Sequence, residues 1–445
     1  MVQLFLLTST YGAMTAAAAI DAGLVSVGER VLLAANATRV PEAADDYIEL
    51  PQVRAVLDRF DRVERLNDLV APILPTQWQP RVEDMPMLER LLRRAWGLGD
   101  GPVELYLQNL QVPPARTLAA IFVGSSITVI GDGLMTYSPI RARLPRDIAG
   151  RVTEVAYADV VPGVTPALFT EVEATRVPVA ADAFRGVLDE VSAGVDDPQL
   201  ETLDDGTPTA LVLGQYLADL GILTAEEETD QQREMIDIAA RSGADRIVFK
   251  PHPAALPSSL DAVRRHAAET GRAFVVHTGT APAETVAARL RARSVVAGFS
   301  SALPTVYALF GTPVASVGNP MLLHRLNPFE NSNRVPVTLV DALTRPDSPY
   351  TQPDALQQLV DTVAYCMQPK IMRHLRPAAE RFLAAAPASE RERYFTVARL
   401  TQLDLPGGAG RSGLLGSYSH WEQSQLAAAG IRRRIDRAWK VLKGA

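Results

Sequence analysis

The second half of the chain alternates short apolar runs with amphipathic stretches, and this alternation constrains the fold more than any other feature of the sequence. Each apolar run has the length of a buried strand, and the stretches between the runs have apolar residues at helical spacing. The predicted strands are 209–213, 247–250, 273–276, 294–297 and 314–317, and the predicted helices are 226–241, 258–270, 283–293 and 302–310. We expect Gly311 to end the last helix. Repeated strand–helix units predict a parallel sheet covered by helices.

The first half shows the same alternation with weaker contrast. Residues 54–66 and 87–96 have the spacing of helices, and residues 72–80 contain three prolines and predict a loop. The predicted strands are 3–7, 30–35, 103–107, 127–130 and 152–156. Two successive layers of strands and helices predict an α/β protein with two Rossmann-like domains that face a cleft.

A polar stretch rich in turn residues divides the two halves. Residues 196–208 contain Asp-Asp-Pro, Asp-Asp-Gly and Thr-Pro, which are typical of loops, and we predict that they link the domains. The predicted limits are 1–195 for the first domain, 209–385 for the second domain, and 386–445 for a C-terminal extension of helices with a basic tail.

Composition argues against several classes of protein. The formal net charge of −7 argues against general binding of nucleic acid. The single cysteine, Cys366, has no partner for an internal disulfide or for a paired-cysteine zinc site. No apolar run reaches the roughly 20 residues of a membrane-spanning helix, and residues 1–25 lack the basic start of a signal peptide. We therefore expect a cytoplasmic protein.

The last residues predict a basic amphipathic helix. Residues 431–443 carry six Arg or Lys and one Asp, and Ile431, Ile435, Trp439 and Leu442 fall on one face. Such a helix suits peripheral contact with anionic lipid at the inner face of the membrane. It equally suits packing on the first domain.

The predicted strand at 247–250 ends in a cation, two prolines and a histidine. The prolines that flank His252 restrict the backbone, so Lys250 and His252 are presented from a stiff loop. Ligands of open α/β sheets bind at the carboxyl ends of strands, and a lysine beside a histidine suits an anion such as a phosphate. The alternative is a structural or surface role for His252. The other histidines, which show no metal-ligand spacing and are predicted to be structural or solvated, are His266, His277, His324, His374 and His420.

A serine pair follows another predicted strand of the same sheet. Ser300 and Ser301 lie just before the helix at 302–310, where free backbone N–H groups and the helix dipole favour an anion. Because both loops follow strands of one parallel sheet, we expect the serines and Lys250 to hold the same phosphate. In the alternative, one serine caps the helix and the other is incidental.

Gly214 and Gln215 end the strand at 209–213, and we predict that they approach the same ligand from the neighbouring edge. The alternative for Gly214 is that it only permits a tight turn.

In the first half, Asp132 stands between Gly131 and Gly133 at the end of the predicted strand 127–130. A carboxylate in that position can reach into the cleft without crowding and can act as a general base. In the alternative, Asp132 bonds its own backbone in an ordinary turn. Asp100 and Asp205 also precede a glycine, but neither follows a predicted strand, and both are predicted to lie in turns.

In this combination, Gly131-Asp132-Gly133, His252-Pro253 and Ser300-Ser301 resemble the motifs of the bacterial sialyltransferases, in particular the polysialyltransferase and lipooligosaccharide sialyltransferase families. Those families carry an acidic D/E-D/E-G motif in the amino-terminal domain and His-Pro and Ser-Ser motifs in the carboxyl-terminal domain, in this order. The resemblance covers roughly residues 2–320.

The resemblance implies a GT-B-like fold and inverting transfer of sialic acid, or of a related nonulosonic acid, from a CMP donor to a glycan or glycolipid hydroxyl. It implies no metal and no further cofactor. By this resemblance Asp132 is the catalytic base, His252 assists the leaving phosphate, and Ser300 and Ser301 bind that phosphate. Lys250 beside His252 would add a cation for the same group.

Gly131 departs from the family pattern, because the family usually has a first carboxylate there. A single carboxylate suffices to take the acceptor proton, so transfer through Asp132 remains feasible. Two other interpretations stay open. One is a transferase such as a Kdo transferase or a CDP-glycerol glycerophosphotransferase, and the other is a nucleotide-sugar-binding protein that has lost catalysis.

Overall fold

The computed structural model describes residues 1–37, 46–252 and 260–409. The chain divides into two compact units, Met1–Ala379 and Glu380–Ala445, and both β-sheets belong to the first unit. Within the described part of the chain, no helix is long and apolar enough to cross a membrane.

The first sheet has seven parallel strands in the order β3-β2-β1-β4-β5-β6-β7. Its central strand β1 is buried along its whole length, as expected for a parallel strand covered on both faces. The strands are β1 Val2–Leu7, β2 Glu29–Ala34, β3 Arg62–Arg65, β4 Val103–Gln108, β5 Ile127–Ile130, β6 Val152–Ala158 and β7 Thr175–Val179.

The second sheet has five parallel strands in the order β10-β9-β8-β11-β12. Counted within each sheet, both run 3-2-1-4-5 from one edge, which is the strand order of the Rossmann fold. The predicted α/β class with two Rossmann-like sheets is therefore confirmed. The strands are β8 Thr209–Leu213, β9 Arg246–Lys250, β10 Ala273–Val276, β11 Ser294–Ala297 and β12 Val314–Ser316.

Helices connect most of these strands. The α-helices are α1 Thr10–Asp21, α2 Arg54–Leu57, α3 Leu66–Val70, α4 Met85–Ala95, α5 Ala115–Ile121, α6 Arg146–Ala149, α7 Ala181–Ala193, α8 Pro198–Leu203, α9 Ala225–Arg241, α10 Leu260–Glu269, α11 Ala283–Arg289, α12 Ala302–Phe310, α13 Asn319–Arg325, α14 Arg334–Thr344, α15 Pro353–Met367, α16 Arg376–Ala385, α17 Ala388–Tyr394 and α18 Val397–Leu403. Helix α12 ends at Gly311, whose φ of 64° is left-handed, as predicted.

Local sequence signals and burial together position the second sheet. Thr224 and Glu227 form a reciprocal capping box that starts α9, with hydrogen bonds of 3.1 and 2.8 Å. The apolar face of α9 then packs through Ile236 into one core with Phe249 of β9 and Val296 of β11. This core holds the carboxyl ends of neighbouring strands in register.

The prediction of a helix over residues 54–66 was wrong. Helix α2 ends at Leu57, and Arg62–Arg65 forms β3 at the edge of the first sheet. Asp61 starts this pairing, since its N–H donates to the carbonyl of Arg30 at 2.9 Å and its carboxylate accepts from the N–H of Arg30 at 2.7 Å. Charged residues that alternate along an edge strand mimic an amphipathic helix, and only pairing with β2 distinguishes the two.

The stretch between the sheets is more ordered than a turn-rich linker suggests. Within the predicted linker 196–208, Asp197 caps the short helix α8 by accepting from the N–H of Leu200 at 2.9 Å. The domain limits 1–195, 209–385 and 386–445 remain a prediction. The basic helix predicted at 431–443 and the predicted start of a helix at 258 lie outside the described residues.

Candidate functional site

Asp132 lies at the carboxyl end of β5, one residue before a short 3-10 helix, Gly133–Tyr137. Its backbone N–H donates to the hydroxyl of Thr136 at 2.8 Å, which fixes the turn. The half-buried carboxylate lines a cavity of about 250 Å³, together with Asn109 and Arg141. The cavity offers room beside the carboxylate for part of a small ligand.

The surroundings of Asp132 suit a base. Burial raises the pKa of its carboxyl, while the nearby side-chain amides of Gln108 and Asn109 act in the opposite direction. A carboxylate with a raised pKa takes a proton more readily than an ordinary surface aspartate.

Gly131, which replaces the first acid of the family pattern, is required by its surroundings. A Cβ atom at this position would lie 2.8 Å from both the Thr136 hydroxyl oxygen and the Cβ of Tyr157. The Gly131 N–H also donates to the carbonyl of Ala156 on β6 at 2.7 Å. The backbone is therefore packed too closely against β6 and the 3-10 helix for any side chain at this position.

The serine loop connects β11 to α12 and contacts the loop of Asp132. The Ser301 hydroxyl accepts a hydrogen bond from the N–H of Leu134 at 3.1 Å. Gly133 permits this approach, since a Cβ there would lie 2.5 Å from the Ser301 hydroxyl oxygen, and its φ of 51° is left-handed. Ser300 accepts from the N–H of Ala302 at 3.2 Å. Each hydroxyl keeps its own proton to donate.

Gly214 and Gln215 follow β8, which lies between β9 and β11 in the sheet. The Gln215 side chain bonds the backbone of Phe299, accepting from its N–H at 3.0 Å and donating to its carbonyl. Gln215 thereby positions the serine loop. A Cβ at Gly214 would lie 2.8 Å from the ring of Phe249, so this glycine allows close packing against β9. Direct contact of either residue with a donor remains a prediction.

His252 is half-buried two residues after the end of β9, and its ring packs on Tyr216 with a centroid distance of 4.2 Å. Burial lowers the pKa of His252, so the imidazole is neutral at pH 7. A neutral imidazole still donates one N–H, and a nearby phosphate would raise its pKa again. The sequence did not single out Tyr216, although it directly follows Gln215.

Lys250 ends β9, and its ammonium is held from the side of β10. It donates to the carbonyl of Gly279 at 2.7 Å and lies 3.4 Å from Nδ1 of His277. The other ring nitrogen of His277 is 2.8 Å from the carboxylate of Asp197. His277 is fully buried, so the structural alternative predicted for it holds and the solvated one is wrong. Within the described residues, the ammonium makes no hydrogen bond to either serine.

Two buried polar side chains near these loops were not predicted. Tyr11 follows β1, and its pKa is raised by burial and by the charge of Glu284. Burial also raises the pKa of Glu284, while the charge of Lys250 acts in the opposite direction. The position of Tyr11 after a strand end was a usable signal, whereas Glu284 lies inside a helical pattern and had none.

The residues that the structure describes contain no group of three or more His, Cys, Asp or Glu side chains arranged to hold a metal ion. At the carboxyl edge of the first sheet, the group available for chemistry is thus a carboxylate. At the carboxyl edge of the second sheet, the available groups are imidazoles, an ammonium and two hydroxyls.

Comparison with known proteins gives one family. The model of the family described as alpha-2,8-polysialyltransferase (POLYST) matches residues 3–319, which is well over half of the chain and includes every predicted site residue. No curated protein matches the sequence significantly.

Several solved structures are similar at low sequence identity. A Photobacterium damselae sialyltransferase, as residues 113–497 corresponding to its GT-B domain, is similar over 76% of this chain and 96% of that chain, with 12% identity and a TM-score of 0.39. The E. coli heptosyltransferase WaaC with ADP-2-deoxy-2-fluoro heptose is similar over 71% and 88%, with 15% identity and a TM-score of 0.32. Acinetobacter baumannii MurG is similar over 85% and 94%, with 12% identity and a TM-score of 0.39.

Proposed function

Because the chain belongs to the alpha-2,8-polysialyltransferase family and is a glycosyltransferase, we propose that it transfers sialic acid, or a related nonulosonic acid, from a CMP donor to a hydroxyl of a glycan or glycolipid acceptor. The transfer inverts the anomeric centre and needs no metal ion or further cofactor.

The observation that carries this proposal is the contact between two loops from different sheets. The Ser301 hydroxyl accepts from the N–H of Leu134, two residues after Asp132. The loop of the proposed base therefore contacts the loop whose hydroxyls we propose to bind the donor phosphate, and this proximity supports a single displacement.

Asp132 acts on the acceptor. Its carboxylate takes the proton of the acceptor hydroxyl, and the acceptor oxygen forms a bond to the anomeric carbon of the donor sugar. The cavity beside Asp132 offers room for part of the acceptor. The raised pKa of Asp132 suits this role, because the carboxylate then holds the proton once transfer is complete.

Residues at the carboxyl edge of the second sheet stabilise the leaving group, which is the phosphate of CMP. As the bond between the anomeric carbon and the phosphate oxygen breaks, its electron pair stays on the phosphate of CMP. The hydroxyls of Ser300 and Ser301 donate hydrogen bonds to that phosphate, and a ring N–H of His252 donates another. Lys250 adds a positive charge, which is worth most where negative charge develops. Attack opposite the departing phosphate gives inversion.

The experiment is a donor panel scored by release of nucleotide. The purified protein is incubated with an oligosaccharide acceptor and with CMP-sialic acid, CMP-Kdo or CDP-glycerol. Acceptor-dependent release of CMP from CMP-sialic acid is expected. Turnover of another donor alone would support one of the other transferases, and binding of CMP without any turnover would support the non-catalytic interpretation.

A histidine pair provides the matched control for donor handling. His252→Ala should lower turnover and weaken binding of CMP, because it removes a donor to the phosphate. His266→Ala should change neither, since His266 pairs with Asp237 on the helical layer at 2.8 Å. Full activity of the His252 variant would contradict the assignment.

We also propose that the enzyme works in the cytoplasm, with peripheral membrane contact through its basic C-terminal sequence. Deletion of residues 430–445 should then reduce binding to vesicles that contain anionic lipid. Unchanged binding would leave packing within the protein as the role of this segment.

A further inference from the structure

Lys250 is unusual in this sequence. Of the 44 lysines and arginines, four are lysines: Lys250, Lys370, Lys440 and Lys443. An arginine is always charged, whereas the charge of a buried lysine depends on its neighbours. The charge of Lys250, which ends β9 close to His252, therefore depends on the groups that surround its ammonium.

Asp197, His277 and Lys250 form a buried chain across the edge of the second sheet. Asp197 precedes α8, His277 directly follows β10, and Lys250 ends β9. The Asp197 carboxylate lies 2.8 Å from Nε2 of His277, and Nδ1 of His277 lies 3.4 Å from the Lys250 ammonium. His277 is 0% exposed and Asp197 is 6% exposed, so water does not compete for these contacts.

The chemistry of the two neighbours assigns the tautomer of His277. A carboxylate only accepts hydrogen bonds, so Nε2 carries the proton and donates to Asp197. An ammonium only donates, so Nδ1 of His277 is unprotonated and accepts from Lys250. The imidazole is therefore neutral, in agreement with a pKa that burial and the charge of Lys250 lower.

The arrangement is built into the backbone. Asp197 is held by the N–H of Leu200 at 2.9 Å. A Cβ at position 279 would overlap the carboxylate of Asp197, so only glycine at this position leaves room for that carboxylate. The carbonyl of the same Gly279 accepts from Lys250 at 2.7 Å. Two of the three ammonium N–H groups thus point to Nδ1 of His277 and to the carbonyl of Gly279, and the third has no partner within the described residues.

We propose that Asp197 and His277 are positioning residues that hold the Lys250 ammonium oriented and charged, with its third N–H available for the donor phosphate. This proposal rests on the proposed function, in which Lys250 binds the phosphate of CMP. Neither Asp197 nor His277 touches the substrate. They act through Lys250.

The charges around Lys250 determine the pH at which it acts. Burial lowers its pKa to about 8, while the carboxylates of Asp197 and Glu284 act in the opposite direction. Among the described residues, the charged and titratable groups that face it are Asp197 before α8, His277 after β10 and Glu284 at the start of α11. Lys250 is charged below its pKa and loses its charge as the pH rises, so its phosphate contact weakens on the alkaline side.

The experiment follows the protonation of Lys250 directly. Protein labelled with ¹³C at the ε-carbon of lysine gives four side-chain signals, and Lys250→Arg identifies the one from Lys250. Asp197→Asn should lower the titration midpoint of Lys250 by about one pH unit, because it removes a charge that favours the ammonium. The control is Asp245→Asn, an exposed carboxylate at the opposite end of β9, which should leave the midpoint unchanged.

A second pair of variants keeps the proposal testable if Asp197→Asn fails to fold. His277→Leu removes the acceptor for the ammonium and should lower the midpoint, whereas His277→Gln, whose amide oxygen can accept, should restore part of it. If a folded Asp197→Asn or His277→Leu variant kept the wild-type titration midpoint of Lys250, the proposal would be overturned.

Binding of CMP by calorimetry between pH 7 and pH 9.5 connects the titration to the ligand. The alkaline loss of affinity should follow the Lys250 midpoint in the wild type and move to lower pH in Asp197→Asn. In Lys250→Arg it should disappear. A wild type that neither binds CMP nor releases it from a donor would refute the proposed function, whereas an alkaline limb that stays in place in the variants would refute the positioning role.

Discussion

The carboxyl edges of the two sheets share the strand order 3-2-1-4-5 and differ in the chemistry of their side chains. After β5 of the first sheet, Asp132 is a carboxylate with a raised pKa beside neutral amides. After β9 and β11 of the second sheet, the side chains are Lys250, His252 and the serine pair, all of which can donate hydrogen bonds. One edge is suited to accept a proton and the other to stabilise an anion. Strand order therefore sets where a site forms, while the residues after each strand set what the site does.

Replacing the proposed base, Asp132, by its amide should have the largest effect on turnover. Asp132→Asn should lower turnover by about 10²- to 10⁴-fold, the usual contribution of a general base, while binding of CMP stays nearly intact. The measurement is CMP release under saturating donor, with calorimetry for CMP. Asp100→Asn provides the control, since Asp100 also lies between two glycines and is exposed. Comparable turnover of the two variants would remove Asp132 from the mechanism.

Restoring the acid of the family pattern should damage the first edge. Gly131→Asp should destabilise the protein by about 1–3 kcal/mol without raising turnover, because the new side chain meets Thr136 and Tyr157. Denaturant unfolding measures the change in the free energy of unfolding. Gly101→Asp is the control, because a Cβ there meets nothing within 4 Å. A stable and more active Gly131→Asp protein would show that the missing acid limits catalysis.

Removing the hydrogen bond between Ser301 and Leu134 should have a moderate effect on the stability of the protein. Ser301→Ala leaves the N–H of Leu134 without its acceptor and should lower the free energy of unfolding by about 1 kcal/mol. Ser300→Ala leaves the Leu134 contact in place but removes the acceptor of the Ala302 N–H, so we expect a similar loss of stability. We expect both variants to weaken binding of CMP. Equal stability of the wild type and Ser301→Ala would argue against a structural role for the contact between the loops.

The smallest effect should come from Asn109, whose side-chain amide lies next to the proposed base, Asp132. The side chain of Asn109 lowers the pKa of Asp132, so Asn109→Gly should raise that pKa. As the pH is lowered, Asp132 should then become protonated, and turnover should fall, at a higher pH than in the wild type. A shift below about one pH unit is expected, since one neutral hydrogen bond is lost. Glycine is the suitable replacement because Asn109 has a φ of 58°. The pH profile of turnover gives the shift, and movement of the acid limb to lower pH would contradict the sign.

Much of the fold followed from local pattern. Continuous apolar runs predicted the buried strands β1, β5, β8 and β11 closely, because strands covered on both faces carry few polar residues. The edge strands β3 and β7 were missed. Charges alternate along β3, and β7 contains Pro178, which a strand tolerates at a sheet edge.

The predicted site residues were found from their positions after strands, and their partners were not. Gln215 positions the serine loop through Phe299, which lies 84 residues further along the chain. His277 joins Asp197, 80 residues away, to Lys250. Neither pairing has a local signal, because a buried hydrogen bond between distant residues leaves no period in the sequence.

By itself, the sequence determined the class of fold, the strand ends that carry reactive side chains and the resemblance to a family, since these depend on local spacing and residue type. Only the folded structure shows that Gly131 has no room for a carboxylate, that Ser301 contacts the loop of Asp132, and that His277 joins Asp197 to Lys250. The physical reason is that steric exclusion, burial and the charge of a buried group depend on which distant residues the packed sheets bring within a few ångströms.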